Sequence, residues 1–258
     1  MKRWASLALI VWFLGLTACA SQSSEKSIGD VPTSSDESSA HRRARIRVEL
    51  ASAYLQRGQA EVALDEAKQS LLALDSYAPA HQVKALAYMA LGEPALAKRS
   101  FDAALRLTPH DVDLLHNVGW WHCSQGQYSE ADRWFDQALQ QGHSARTWLG
   151  KALCAQRSGS AQTQAHFAKA YALAPTDPQV VQSWAEYAWQ IHDNQRVLAV
   201  LGPFNDTPLA TASTLWLQVK ALHLVGNSAH AQRAGQKLSA AFPSSPQAKA
   251  FERKLWNE

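Results

Sequence analysis

Residues 78–111 read APAHQVKALAYMALGEPALAKRSFDAALRLTPHD, and the pattern of this stretch recurs on both sides of it. Counted from Ala44, Ala78 and Val112, each period has a small residue at its eighth position, an aromatic residue or histidine at its eleventh and glycine at its fifteenth. These residues are Ala51, Ala85 and Gly119; Tyr54, Tyr88 and His122; and Gly58, Gly92 and Gly126. Small residues let two helices approach closely, and glycine supplies a left-handed turn. The pattern therefore predicts helix pairs that repeat every 34 residues.

A period of about 34 residues with these positions is typical of tetratricopeptide (TPR) repeats. We expect an all-α fold, a right-handed TPR superhelix (α-solenoid) within residues 42–258, and no strands. The predicted repeats and the capping helix span residues 44–77, 78–111, 112–143, 144–177, 178–208, 209–243 and 246–256. Such a solenoid presents a long concave surface, which favours protein binding over catalysis.

The later repeats are less regular than the first three. The spacing slips by one or two residues in repeat four. In repeat five we expect a turn at Asp193-Asn194, a second helix that ends near Leu201, and a loop over 202–208, since Gly202 and Pro203 interrupt helices. Helices over 209–225 and 247–256 should follow, with Phe251, Leu255 and Trp256 on one side of the last.

Residues 1–18 are predicted to be a lipoprotein signal peptide. Lys2 and Arg3 precede an apolar run over 4–15, which is too short to span a membrane. The following Leu16-Thr17-Ala18-Cys19 resembles a bacterial lipobox, which implies a covalent lipid on Cys19. Ala20 after that cysteine favours the outer membrane. The alternative is an ordinary secretory signal in which Cys19 is incidental.

Residues 19–41 are rich in serine and contain little that could form a core, so we expect a disordered tether after Cys19. The formal charge of +3 falls to +1 without Lys2 and Arg3, which gives no support for nucleic-acid binding. The basic cluster over 41–47 either contacts anionic lipid or an acidic partner, or is a solvated helix start.

Cys123 and Cys154 remain once Cys19 is assigned to lipid. Both are assigned to the twelfth position of a first helix, in neighbouring repeats, and an oxidising periplasm would allow a disulfide between them. The alternative is two small buried apolar residues.

The sequence contains no motif for catalysis, phosphate binding or metal binding among those considered. We therefore expect a protein that is not an enzyme, with no small-molecule substrate and no cofactor beyond the lipid on Cys19.

Positions two, five, nine and twelve of the first helix line the concave groove in TPR proteins. In repeats one to three this register predicts a partner-binding groove formed by Val48, Ser52, Leu55, Gln82, Leu86, Met89, Asp113, His116 and Trp120. In repeat six it selects Trp216, Lys220 and His223, whereas Trp121, Trp134 and Trp189 are expected in the core. An apolar, aromatic groove suits an amphipathic helix or an extended peptide. The alternative for each of these residues taken singly is ordinary half-buried packing.

Several stretches resemble the outer-membrane lipoproteins of type IV pilus assembly, the PilF/PilW family. They are Ala53-Tyr54-Leu55-Gln56-Arg57-Gly58, Leu115-His116-Asn117-Val118-Gly119, Gln127-Tyr128-Ser129-Glu130-Ala131 and the segment from Lys237 to Ser245. The resemblance covers about residues 42–253 and is strengthened by the lipobox, the short tether and the six predicted repeats.

This resemblance implies a pilotin: a lipoprotein at the periplasmic face of the outer membrane that binds the secretin subunit of the pilus machinery. It would promote the localisation and multimerisation of the secretin through the TPR groove. Two alternatives are another periplasmic TPR scaffold for cell-wall or envelope assembly and, with less support, a TPR accessory module of an envelope enzyme.

Overall fold

The structure is a computed structural model that describes residues 38–255. The predicted signal peptide, Cys19, residues 20–37 of the tether and Trp256 lie outside these described residues.

Residues 38–255 contain thirteen α-helices and no strand. In chain order the helices are α1 Ser39–Gln56, α2 Ala60–Ala73, α3 Ala78–Ala90, α4 Pro94–Leu107, α5 Val112–Ser124, α6 Tyr128–Gln141, α7 Ala145–Ser158, α8 Thr163–Leu173, α9 Pro178–Gln190, α10 Asn194–Asn205, α11 Ala212–Leu224, α12 Ser228–Ala241 and α13 Pro246–Glu252. Odd-numbered helices from α1 to α11 are the first helices of six repeats, and α13 packs after the last pair as a cap.

A left-handed residue joins the two helices of every repeat. Glycine occupies this position in five repeats, with φ between 70° and 78°, at Gly58, Gly92, Gly126, Gly159 and Gly226. In repeat five the position belongs to His192, whose φ is 61°. The turn predicted at Asp193-Asn194 therefore lies earlier, at His192. Asp193 instead caps α10, because its side chain accepts a hydrogen bond from the Arg196 N–H at 2.9 Å.

The core lies between the paired helices and includes small residues that face aromatic ones. Four phenylalanines of the second helices are at most 2% exposed: Phe101, Phe135, Phe167 and Phe204. Gly119 shows how tight this packing is, because a Cβ at that position would lie 2.9 Å from Cδ1 of Phe135. The small eighth position thus allows the helices of repeat three to approach.

Two predicted boundaries in repeats five and six are wrong. Helix α10 continues through Gly202 and Pro203 to Asn205, so the loop predicted over 202–208 starts later. Phe204 is buried, and the Asn205 side chain donates to the carbonyl oxygen of Thr214 at 3.1 Å, which holds this last turn in place despite the proline. The following helix starts at Ala212 rather than at 209.

The cap is also shorter than predicted. Helix α13 ends at Glu252, where the left-handed Lys254 (φ 57°) turns the chain and the Leu255 N–H donates to the Ala250 carbonyl. At the other end, α1 begins at Ser39, so residues 39–41 belong to the helix rather than to the predicted tether.

Candidate functional site

Two neighbouring cavities lie on the first helices of repeats two to four, and Leu86 and Trp120 line both of them. The first cavity, of about 600 Å³, extends past Met89 and Pro94 to Arg157. The second, of about 330 Å³, has the following further lining residues: His116, Asn117, Arg146, Leu149, Gly150, Leu153 and Gln179. We call the two cavities together the central groove.

Helical periodicity places the apolar side chains of the groove on one face. Leu86 and Met89 are three residues apart on α3, and Leu149 and Leu153 are four apart on α7, so each pair shares a helix face. Trp120, on α5 between them, is partly buried against the cluster that contains Phe135. The groove therefore has at its centre an apolar surface that is packed on the core.

Two arginines border this apolar surface. The Arg157 guanidinium lies 4.7 Å from the centre of the Trp120 ring. Arg146 donates one hydrogen bond to Asp113 Oδ1 at 2.6 Å and another to Asn117 Oδ1 at 2.9 Å, which joins α7 to α5. An apolar groove with guanidinium groups at its margin suits a peptide segment that carries both apolar side chains and a carboxylate.

His116 forms part of the buried wall of the second cavity. It is 7% exposed, and its Nδ1 has no hydrogen-bond partner within residues 38–255. Burial, and secondly the Arg146 guanidinium, lower the pKa of His116 from 6.5 to about 3. Gly150 makes room for this ring, because a Cβ there would lie 2.8 Å from Cε1 of His116. His116 is therefore neutral at physiological pH.

The structure brings four of the nine predicted groove residues into the central groove: Leu86, Met89, His116 and Trp120. Val48 and Leu55 are instead half-buried against the core cluster of repeat one. Asp113 is exposed and holds Arg146, while Ser52 and Gln82 are half-buried and line neither cavity.

Of the tryptophans outside the central groove, Trp216 is placed differently from the prediction. Trp216, predicted at the groove, is only 8% exposed and belongs to a core cluster with Leu215 and Val219. Trp121 is buried, as expected. Trp189 packs partly on the core of repeat five, and the Lys220 ammonium lies 5.0 Å from the centre of its ring.

Sequence reasoning missed the contribution of repeat four to the groove. Gly159 follows Gly126 by 33 residues, so the positions of repeat four are properly counted from Ala145. Positions two, five and nine are then Arg146, Leu149 and Leu153, all of which line the second cavity. The turn glycine itself was the signal that could have found them.

Cys123 and Cys154 are joined by a disulfide that ties α5 to α7, with a Cα–Cα distance of 5.8 Å. Trp120 packs against the core cluster that contains both cysteines and Phe135, so the cross-link lies next to the central groove. Cys123 is three residues before its turn glycine and Cys154 is five before Gly159, so the expectation that they share a repeat position is wrong. The bond joins different turns of the two helices.

A further cavity of about 380 Å³ lies beside α6, α7 and the start of α8. Its most buried charge is Lys151, which is paired with Asp132 at 3.1 Å and with Asp136. A lysine buried between two carboxylates cross-links α6 and α7, and its loss would leave unpaired charges.

Residues 38–255 contain no group of three or more His, Cys, Asp and Glu side chains arranged to hold a metal ion. Within the same residues, no helix combines the length and the apolar character that a membrane span requires.

Comparison with known proteins supports the repeat assignment. Residues 78–111 and 112–140 each match a tetratricopeptide repeat family. An uncharacterized protein of Haemophilus influenzae is 31% identical over 115 residues, which are 43% of this chain. The matched region spans 64% of the length of that relative.

Two solved structures share the architecture over most of the described residues. PilF of Pseudomonas aeruginosa superimposes with a TM-score of 0.61 and 21% identity, covering 84% of this chain and 100% of its own. PilW, a widely conserved type IV pilus biogenesis factor, gives a TM-score of 0.64 and 22% identity, covering 80% of this chain and 97% of its own. Together with the helix pairs and their left-handed turns, these similarities establish that the chain folds as an all-α solenoid of tetratricopeptide repeats.

Proposed function

We propose that the protein is a type IV pilus biogenesis lipoprotein that acts as a pilotin. In this proposal the central groove binds the secretin subunit and promotes its localisation and multimerisation at the outer membrane. The observation that carries the proposal is the pair of cavities around Trp120, which can receive two apolar side chains of one partner segment.

The chemistry of the groove supports a peptide partner. Leu86, Met89 and Leu153 offer apolar contact, and a partly buried tryptophan at the centre of an interface is a common source of binding energy. Arg157, stacked on Trp120, is placed to receive a carboxylate of the same segment. The pilus context rests on the resemblance to PilF and PilW, with which this chain shares its fold.

The lipid anchor completes the proposal. Acyl chains on Cys19 would hold the solenoid at the membrane, since several chains anchor a protein stably where one does not. Replacement Cys19→Ala should leave an unprocessed precursor outside the outer membrane. If that variant fractionates with the outer membrane as mature protein, the anchor is assigned wrongly.

The groove is tested by affinity purification of the mature protein from detergent-solubilised envelope, followed by identification of the proteins that co-purify. The secretin should be retained by the unmodified protein. The double variant Leu86→Glu with Trp120→Glu should lose it, because two charges would be placed against apolar cavities.

Leu72→Glu is the matched control, because Leu72 lies on α2, is 79% exposed and lines neither cavity of the groove. It should retain the secretin fully. Circular dichroism must show that the groove variant keeps its helical content. Secretin retained by a folded groove variant would place the site elsewhere. Another envelope protein retained in its place would favour a different scaffold.

A further inference from the structure

Helix α1 begins a full turn earlier than its repeat requires. It has 18 residues, whereas α3, α5, α9 and α11 have 13 each. The added turn, before Ala44, carries Arg42 and Arg43, and the first turn of the helix holds no acidic residue. Positive charge near a helix N-terminus opposes the helix dipole. The helix dipole therefore gives no reason for arginines at these positions.

The added arginines continue an exposed face of α1. Arg42, Arg43, Ile46, Leu50 and Arg57 follow one another at helical spacing, and we call them the α1 outer face. Ile46 is 45% and Leu50 40% exposed, and all three arginines are exposed. The opposite side of the helix carries Ala44 and Ala51, which are completely buried in the core.

Two acidic residues of this region pair with arginines that lie outside the α1 outer face. Glu49 accepts a hydrogen bond from Arg45 at 2.8 Å, and Glu66 of α2 accepts one from Arg47 at 2.7 Å. The outer face thus combines three arginines with two exposed apolar side chains.

We infer that the α1 outer face binds the surface of an anionic lipid membrane. Arginine side chains place their apolar stems along the interface and their guanidinium groups at lipid phosphates, while Ile46 and Leu50 insert shallowly. None of the cavities described above is lined by a residue of α1. A basic and apolar stripe along an exposed helix face fits the anionic surface of a lipid membrane.

The position of α1 in the chain agrees with this partner. Ser38, its N-cap, lies 19 residues after Cys19. The sequence predicts a flexible tether over this segment, and about twenty residues of such a chain would span roughly 25 Å. A lipid on Cys19 would then keep the α1 outer face within reach of the membrane. This placement rests on the proposed lipid anchor, whereas binding of the face to lipid can be measured without it.

The experiment is vesicle co-sedimentation of the chain from residue 19 with Cys19→Ser, so that no acyl chain contributes. One set of vesicles contains phosphatidylcholine and phosphatidylglycerol in equal parts, and the other contains phosphatidylcholine alone. The protein should bind the anionic vesicles only, and added salt should weaken binding. Replacement of Arg42 and Arg43 by glutamine should reduce the partition coefficient about thirty-fold, at about fivefold for each arginine near the surface. The pair Ile46→Ser and Leu50→Ser should also weaken binding.

Matched controls lie on α4. Arg99→Gln with Arg106→Gln removes the same charge from exposed positions, and Leu107→Ser removes an apolar side chain that is 41% exposed. Both should bind vesicles like the unmodified chain.

Equal losses in the α1 and α4 variants, or no binding to anionic vesicles, would overturn the inference. So would a loss of secretin co-purification in the α1 variants with vesicle binding unchanged, which would assign the face to a protein partner. The groove variant Leu86→Glu with Trp120→Glu should still bind vesicles, which separates this test from that of the pilotin role.

Discussion

The guanidinium of Arg157 lies 4.7 Å from the centre of the Trp120 ring and so joins repeat four to repeat three at the margin of the central groove. Such a pair at an exposed site contributes roughly 0.5–1 kcal/mol. We predict that Arg157→Ala lowers the free energy of unfolding by no more than this amount, measured by urea denaturation, while it weakens secretin binding several-fold. Arg99→Ala, at an exposed position of α4, should change neither quantity. Loss of stability without loss of binding would make Arg157 purely structural.

The disulfide between Cys123 and Cys154 should stabilise the solenoid. It closes a loop with a sequence separation of 31 residues, which corresponds to roughly 3 kcal/mol in the free energy of unfolding. The double variant Cys123→Ala and Cys154→Ala should lose about this amount and leave no free thiol. Titration of the denatured, unreduced mature protein decides whether the bond forms in the periplasm. Two reactive thiols would refute it.

His116 should make stability depend on pH. Its pKa is lowered from 6.5 to about 3 in the folded protein. Between these values the unfolded chain binds more protons than the folded one. The stabilisation by neutral His116 is therefore complete above pH 6.5 and is lost as the pH falls toward 3.

The loss approaches roughly 1 kcal/mol for each pH unit in this window. Urea denaturation at about pH 7.5 and about pH 5 measures it, and His116→Gln should show a smaller difference between the two. The pKa of His166 is lowered as well, by burial and then by Lys151, so some pH dependence should remain in the variant. An identical pH dependence in both proteins would contradict the neutral, buried state of His116.

His192 occupies a backbone conformation that glycine adopts in the five other repeats, with φ at 61°. A side chain in this region costs energy that glycine avoids. We predict that His192→Gly raises the free energy of unfolding by roughly 0.5–1 kcal/mol, after allowance for the greater freedom of glycine in the unfolded chain. The reverse change, Gly159→His, should destabilise by a similar amount, since space around Gly159 is open and only its backbone would be strained. A stabilising Gly159→His would refute this account of the turns.

The helical repeats could be predicted from sequence because glycines 58, 92 and 126 report a local backbone requirement at fixed spacing. The left-handed turn of repeat five could not be predicted in this way, since histidine rather than glycine occupies the position at residue 192. Pro203 is the reason that the end of α10 was predicted too early. Proline usually ends a helix, but buried Phe204 and the hydrogen bonds of Asn205 hold the last turn of α10.

The residues of the candidate site could be predicted only in the repeats that keep the 34-residue spacing. Leu86, Met89 and Trp120 follow from the regular repeats, but Leu149 and Leu153 required the one-residue shift that Gly159 reveals. The buried state of His116 depends on contacts with Gly150 and Phe135, one of which lies in another repeat. A repeat pattern gives the direction of a side chain but not how deeply its neighbours cover it.

The central claim is that the groove around Trp120 contacts the secretin in the cell, and site-specific photo-crosslinking tests it most directly. A benzoylphenylalanine replaces Met89, which lines the first cavity, or Leu72, which is exposed on α2. After irradiation of living cells, the account predicts a covalent adduct with the secretin from position 89 and none from position 72. An adduct from position 72 alone, or no secretin adduct from position 89 in a folded protein, would contradict it.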